Sequence, residues 1–407
     1  MAEILPTAPY AATTSFIPQQ VAALAPSFGR KSRLAEARLT VYASLSECES
    51  IWRRAVEDCA GYVFQIFEWQ STWQETIGAM EGVEPYVVHI EDPAGQTLML
   101  IPLGIYRQGW LRVLRFLGGL VTDYNVPLIN PDFAAALGSG EIDALWAEIV
   151  ARLPKVDFVH LRRMPETIEG VSNPFASLSV AVHSENGHAA MLPGSLAEFQ
   201  ADRSTKMFRD NRRKRRRLAD KGPVSFFQPT TPEPIAETLG VLRRQKSRRW
   251  RETGQRDWFA EPGYWSFYQV LTDRLLTSGR VHLCGLRVGD EIVATKWGTV
   301  FRGRYCELIN GFEEGEWARL SVGRLLIESA VEWCIAAPDI AIYDLTGGEE
   351  AYKQSWADHP LRLFEYMAPR SLTGIAFVAA HRLRARLRRN QRLRNLARRL
   401  RDRGPFS

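Results

Sequence analysis

At 407 residues, with 45% hydrophobic and 24% charged side chains, the chain has ordinary globular composition and enough length for two domains. No run approaches the ~18 apolar residues of a membrane span, and the five cysteines, odd in number and without C-x-x-C spacing, argue against a disulfide framework and for reduced thiols in a reducing cytoplasm. The net charge of +6 belongs to the tail: His381–Ser407 holds eleven Arg and one Asp, so the remainder of the chain is acidic on balance.

Residues 1–38 are rich in Pro, Ala and Ser and lack a basic stretch followed by an apolar core, so they read as a disordered segment and not as a secretory signal. In LSECESIWRRAVEDC, Leu45, Cys48, Trp52, Ala55 and Cys59 recur at helical steps. PYVVHIEDPAGQTLMLIPLGIYR reads as two strands about a Pro-Ala-Gly turn, with WLRVLRFLG as a third. Glu141–Leu153 is helical and VDFVHLRRM is a strand.

Leu196–Gly222 predicts a helix interrupted near its middle, with an unbroken basic block over Arg212–Arg217. That block is either a solvated face, with Phe208 and Leu218 turned inward, or an anion-binding surface. Ile235–Tyr268 predicts two helical parts, the second starting near Pro262. Trp250, Trp258, Phe259, Tyr264 and Trp265 cluster there, as core residues or with one or two flooring an acceptor groove. Interleaved aromatic and basic residues also suit nucleic acid.

The runs VHLCGLRV, EIVATKWGTVF and RYCELING predict an antiparallel meander. A helix opens at about Ser321, and IAIYDL reads as a returning strand, so the crossover sits beside a parallel pair. The helix start ARLSVG carries Arg319, Ser321 and Gly323 where the first backbone N–H groups lack partners; Ser321 either caps the helix or helps hold an anion. From about Leu372 to Arg403 a basic helix is expected, with Leu383, Leu387, Leu393, Leu396 and Leu400 as a narrow stripe suited to an anionic membrane surface, or a solvated or RNA-contacting extension.

The order of meander, S-x-G-R-L-L helix start, IYDL strand and G-x-E-x-Y-K-x-x-W resembles the C-terminal half of the BioF-like acetyltransferase branch of the GNAT N-acyltransferase superfamily, and in particular the CelD/BcsL group labelled as acting in cellulose biosynthesis. WLRVLRFLGGLVTDYNVPLI, STKMFRDNRRKRRRLADKG and FQIFEWQSTW extend the resemblance over about Ala43–Ala368. It implies an α+β tandem GNAT fold: an N-terminal lobe over 39–193, a C-terminal lobe over 194–368 and an Arg-rich helix over 369–407. It also implies acetyl-CoA or another acyl-CoA as donor, held by Arg319, Ser321, Gly323 and Arg324. The chain departs from the superfamily's pyrophosphate loop by keeping a basic start and a single glycine, displaced by one residue, with Val322 where relatives commonly carry Pro. Carried over further, the resemblance has Ser204, Lys206, Arg209 and Arg213 line the cleft between the lobes against an anionic ligand.

Acyl transfer to an amine needs a general base and a proton source for the leaving thiolate. The candidates are Asp123 and Tyr124 in VTDYNVPLI, Glu307 in RYCELING, Asp344 in IYDLTGG, and Tyr352. Asp123 is either a turn residue bonded to its own backbone or exposed at a bend for chemistry. Glu307 in an apolar strand faces solvent, pairs with a base such as Arg304, or serves chemistry. Lys353 and Trp356 share a face if helical, where Lys353 would hold an acceptor phosphate or an oxyanion and Trp356 would bind the substrate, or Lys353 is a plain surface lysine. The dispersed histidines and the absence of ligand spacing give no metal site, and no G-x-S-x-G occurs.

Three readings stand: a cytoplasmic acyltransferase acting on a saccharide-like or other anionic small-molecule acceptor in envelope or exopolysaccharide synthesis; a Fem-like transferase using aminoacyl-tRNA; and a non-catalytic adaptor docked peripherally on the inner membrane face.

Overall fold

The computed structural model describes residues 20–23, 34, 36–138, 140–348 and 350–389, with no side-chain account for 20–23 and 385–389. Most of residues 1–38 and the tail beyond 389, including Leu393, Leu396 and Leu400, lie outside the described residues.

The two halves repeat one order of elements. The first half runs β1 (Gln20–Ala23), β2 (Arg38–Tyr42), α1 (Glu49–Asp58), α2 (Phe67–Trp73), β3 (Glu84–Glu91), β4 (Thr97–Gln108), β5 (Leu111–Phe116), β6 (Leu128–Ile129), α3 (Pro131–Ala136), α4 (Glu141–Arg152) and β7 (Phe158–Pro165). A small hairpin, β8 (Thr167–Ile168) and β9 (Val171–Ser172), leads to β10 (Ala181–Met191). Helices α5 (Leu196–Ala201) and α6 (Thr205–Ala219) join the halves. The second half runs β11 (Val224–Phe227), α7 (Pro232–Glu252), α8 (Tyr264–Leu275), β12 (Val281–Val288), β13 (Glu291–Phe301), β14 (Arg304–Phe312), α9 (Glu316–Arg319), α10 (Val322–Ala336), β15 (Ile342–Gly347) and β16 (His359–Pro369), and α11 (Leu372–Arg389) follows.

The long strands form one mixed sheet in the order β1-β2-β3-β4-β5-β7-β16-β10-β15-β14-β13-β12-β11. Each half contributes a short parallel pair, β5 with β7 and β14 with β15, the second joined at Arg304↔Ile342, Tyr305↔Tyr343 and Cys306↔Asp344. Each half also gives its last strand away: β10 pairs with β15, and β16 pairs with β7. Sequence patterning misses both strands. SVAVHSENGHAAM is polar, and its register slips between His183 and Glu185, so no clean alternation marks it.

Helices α2 and α8 fill the seam between the lobes, with Trp69 edge-on to Phe267 at 5.2 Å and tilted against Trp297 at 6.3 Å. On α10, Ala330, Val331 and Cys334 share a core with Phe199, Phe208, Tyr305, Tyr343 and Trp356. The expected break in the α5–α6 segment falls between the two helices, where Ser204 accepts from the Met207 N–H as the cap of α6.

The tail helix corrects one expectation. Its first turns are not free: Phe377 stacks on Phe158 at 4.7 Å and Val378 is buried with Leu111, Val113 and Met367. Gly374 is required there, since a Cβ would stand 1.8 Å from the Asp157 carbonyl. Leu383 is exposed, and no helix among the described residues is long and apolar enough to cross a membrane.

Two buried histidines set an acid limit. Burial first, with Arg54 adding, holds His89 down to about 4; burial first, with Lys296 adding, holds His282 down to about 3. Both lie below the unfolded value of about 6.5, so the unfolded chain binds protons first and stability falls as pH drops from about 6.5 toward 4. The expected slope is about 1 kcal/mol per pH unit for each histidine. Urea midpoints across that window, flatter in His89→Asn/His282→Asn, check it.

Candidate functional site

The β14/β15 pair opens just past Cys306 and Asp344, its last paired residues. At that point β14 also slips against β13, between Trp297 and Gly298, so a bulge at Leu308 directly follows Glu307, the first β14 residue not paired with β15. Glu307 is 1% exposed at its side chain and is bound by Lys296, itself 0% exposed, and by the Tyr343 hydroxyl. Lys296 also reaches Tyr343 Oη at 3.0 Å, and Asn310 Nδ2 donates to the other carboxylate oxygen. Burial pushes the Glu307 carboxyl up, but Lys296, Tyr343 and Asn310 together outweigh it and leave it below the usual range. Glu307 therefore pairs with Lys296 and not with Arg304. The latter is claimed by Asp344, two residues along β15 from its own cross-strand partner Ile342, at 2.6 Å.

The two lobes meet in a buried chain of polar groups. Tyr124 Oη donates to Asp344 Oδ1 at 2.9 Å, and the Thr346 N–H donates to the same oxygen at 2.7 Å. The Arg304 guanidinium lies 5.3 Å from the centre of the Tyr62 ring. Gly187 of β10 leaves the room this needs, because a Cβ there would stand 2.5 Å from Tyr124 Oη. Burial, then the Asp344 charge, pushes the Tyr124 phenol far up, so it keeps its proton and serves as a donor. Tyr124 and Asp344 are both wholly buried, so the structure makes them a strut between the lobes and not groups open to a substrate.

Asp123, by contrast, is only partly buried. It pairs with Arg163 at 3.0 Å and is close enough to the Thr346 hydroxyl and the Lys353 ammonium to feel both. Burial raises its carboxyl above the ordinary value despite those partners. Arg163 and Thr346, neither of them glycine, have φ of 53° and 59°, strained left-handed backbone at the points that aim their side chains toward Asp123.

Lys353, expected at the surface or on an acceptor phosphate, is buried and donates to the Gly347 carbonyl at 2.6 Å while pairing with Glu350 at 3.0 Å. Tyr352 is 40% exposed, and partial burial with Glu307 and Glu350 nearby pushes its phenol up. Lys246 of α7 joins this group, 5.1 Å from the centre of the Trp250 ring; burial and the Lys353 charge hold it below its ordinary value, opposed by Glu350 and Glu307. Asp123, Thr346, Lys353, Glu350, Tyr352 and Lys246 thus form a chain of electrostatic neighbours beside the opened strand pair. Sequence reasoning missed Lys246, because LRRQKSRRWRE is basic throughout and no residue in it stands out.

At the same end of β14, α10 begins. Ser321 has φ 55° and supplies no side-chain cap, and the first helical bond runs from Leu325 N–H to the Ser321 carbonyl. The N–H groups of Val322, Gly323 and Arg324 therefore lie in an uncapped first turn. Lys214 Nζ meets Ser321 Oγ at 2.6 Å, Arg324 pairs with Asp210 at 2.5 Å, and Arg319 is exposed. A Cβ on Gly323 would press on the Phe312 ring at 3.0 Å. An uncapped helix start with Lys214, Arg319 and Arg324 around it fits a phosphate-bearing ligand.

Two expectations are corrected. Trp356 is 1% exposed, packed edge-on to Phe208 at 5.7 Å, so it belongs to the core and does not floor an acceptor site. Ser204, Lys206, Arg209 and Arg213 are exposed and do not join the cleft. The amphipathic α6 turns Phe208, Asn211, Arg215 and Leu218 toward α10 and the core, which leaves Lys206, Arg209 and Arg213 on the opposite side; Arg213 spends a donor on Asp210 at 2.7 Å.

Residues 205–354 match the acetyltransferase (GNAT) domain family, from the start of α6 to the turn at Lys353. Among solved structures the chain is similar to "Crystal structure of FemX", at 10% identity and TM-score 0.56, over 80% of this chain and 96% of that one. It is also similar to a tandem GNAT protein from the clavulanic acid biosynthesis pathway, at 13% identity and TM-score 0.46, over 83% of this chain and 100% of that one. No curated protein matches the chain. The architecture is the tandem GNAT fold, as expected from the sequence.

Proposed function

We propose, from the premise that this is an acyltransferase with a GNAT domain in its C-terminal lobe, that it moves an acetyl or longer acyl group from acyl-CoA to an amine or hydroxyl of a saccharide-like or envelope-precursor acceptor. The observation that carries the reading is the opened strand pair, beside which the partly buried Asp123 is held by Arg163 at 3.0 Å and lies within reach of Thr346 and Lys353. A carboxylate can act as base and a phenol, which keeps its proton, as acid. Asp123 takes the proton of the attacking amine or hydroxyl, Tyr352 supplies one to the leaving thiolate, and the Lys246 charge stabilises the oxyanion. Thr346 and Arg163 position Asp123. The donor's phosphates would lie on the first turn of α10, with Arg319, Ser321, Gly323 and Arg324 around them; bound there, the thioester supplies the activated acyl group.

The resemblance to the CelD/BcsL group supports a saccharide-like acceptor. A Fem-like transferase using aminoacyl-tRNA is the second reading, favoured by the exposed arginines of α6. The exposed Leu383 beside Arg382 and Arg384 supports peripheral docking on an anionic membrane, which liposome flotation checks.

Calorimetric titration tests the donor. Acetyl-CoA is expected to bind the wild type, and Gly323→Asp, which sets a carboxylate into the uncapped turn, should weaken it about ten- to a hundredfold, or about 1–3 kcal/mol. Arg319→Glu, exposed and safe for folding, should act in the same direction. Equal affinity in all three proteins removes this site, and tRNA binding in place of acetyl-CoA selects the second reading.

A further inference from the structure

The first half has an opening of its own. The β5/β7 pair is joined only at Val113↔Phe158 and Leu114↔Val159, and the residues beyond are Arg115 and His160. Where the second half places Glu307 past its last paired residue, the first half places a guanidinium. A cavity of about 510 Å³ sits over this point, with Arg115, Arg162, Arg163, Arg256, Trp258 and Tyr264 in its lining. Its roof is the α7–α8 connection of the second half, seated tightly: a Cβ on Gly263 would stand 1.8 Å from the Thr76 carbonyl.

The charge in this cavity is unbalanced. Four arginines line it against Glu81 and Glu261; Glu261 is taken by Arg256 at 2.7 Å, Arg163 by Asp123 and Glu185, and Glu81 accepts from Tyr264 Oη at 3.1 Å while its charge still reaches Arg115. Among the described residues, neither Arg115 nor Arg162 has a carboxylate within ion-pair distance. Arg115 gives one donor to Gln108 at 2.6 Å, and its Nε is buried with no partner. Trp73 Nε1 is also buried and unpartnered, next to Gly119 of the lining. Such groups are costly to bury unless something meets them. Trp258 is tilted at 5.2 Å against Tyr264 and carries the Arg256 guanidinium 4.6 Å from its ring centre, an aromatic border beside the charges.

We propose that this cavity is the pocket for an anionic acceptor, whose phosphate or carboxylate meets Arg115 and Arg162 and whose sugar ring is bordered by Trp258 and Tyr264; the proposal rests on the acyltransferase reading above. Arg163 lines the cavity and holds Asp123 at 3.0 Å, so one side chain joins the acidic end of such an acceptor to the base that would receive its proton. A volume of this size matches a small substrate, and a guanidinium fork suits both acids.

Three matched amino sugars test it by titration calorimetry on the full chain: glucosamine 6-phosphate, muramic acid, which carries a carboxylate, and glucosamine, which has the amine but no acid. The acidic sugars are expected to bind at least tenfold more tightly than glucosamine, and the tighter of the two names the acid. Arg162→Glu, at an exposed position, and Arg115→Gln should each cost the acidic sugars tenfold or more and leave acetyl-CoA affinity unchanged. No heat from either acidic sugar, equal binding of glucosamine, or affinity unmoved in both variants overturns the pocket while retained acetyl-CoA binding leaves the donor reading standing. Acidic-sugar binding without acetyl-CoA binding upholds the pocket and overturns that reading instead.

Discussion

Lys296→Met should lower the unfolding free energy by about 3–5 kcal/mol, read as a fall in the urea midpoint at unchanged slope. Lys296 and Glu307 are 0% and 1% exposed, so removing the ammonium leaves a carboxylate with no water to turn to. Tyr343 and Asn310 still donate to it, but neither carries charge. The compensated double variant Lys296→Met/Glu307→Leu is expected to recover most of the loss, because a buried pair replaced by apolar side chains is often neutral. A single-variant loss under about 1 kcal/mol would mean that the pair is hydrated, and the enclosed arrangement described above would be wrong.

Asp123→Asn should reduce kcat by about 10²–10⁴-fold with little change in KM, since an amide keeps the shape and cannot take a proton. The pH profile carries the sharper sign. A base works only when ionised, and Asp123 is raised above the ordinary aspartate value, so activity should climb with pH through that raised value and be lost below it. In the variant this limb should vanish along with the rate. A wild-type acid limb that survives intact in Asp123→Asn, at an unreduced rate, would move the base elsewhere.

How far the sequence leads depends on whether a residue contradicts its surroundings. Glu307 within RYCELING and Lys296 within IVATKWG are both charges inside apolar strands, and that contradiction marks each as paired or functional. That the two are partners is not visible from their separate runs. The meander, the α10 start and the parallel return were legible from turn residues and period. Lys246 and Arg163 were not, because each lies among other cations and only the fold decides which of them turns inward. Trp356 misled for the opposite reason: its spacing from Lys353 suggested a shared face, but the turn is short and the indole is drawn into the core by Phe199 and Phe208. Strands β10 and β16 escaped notice because their order in the sheet owes more to partners far along the chain than to their own alternation.

That exchange of last strands governs how the chain must assemble. The β16–β7 ladder brings Pro369 to Phe158, and the β10–β15 ladder brings Met191 to Ile342, so closing the sheet waits on loops that enclose most of a lobe. High contact order of this kind slows folding, and until β16 arrives the edges of β7 and β10 stand unpaired and open to other chains. Severed between Leu192 and Pro193, the two fragments would each lack a neighbour that only the other can provide. They should regain a native sheet when refolded together, as a complementing pair, and aggregate when refolded apart.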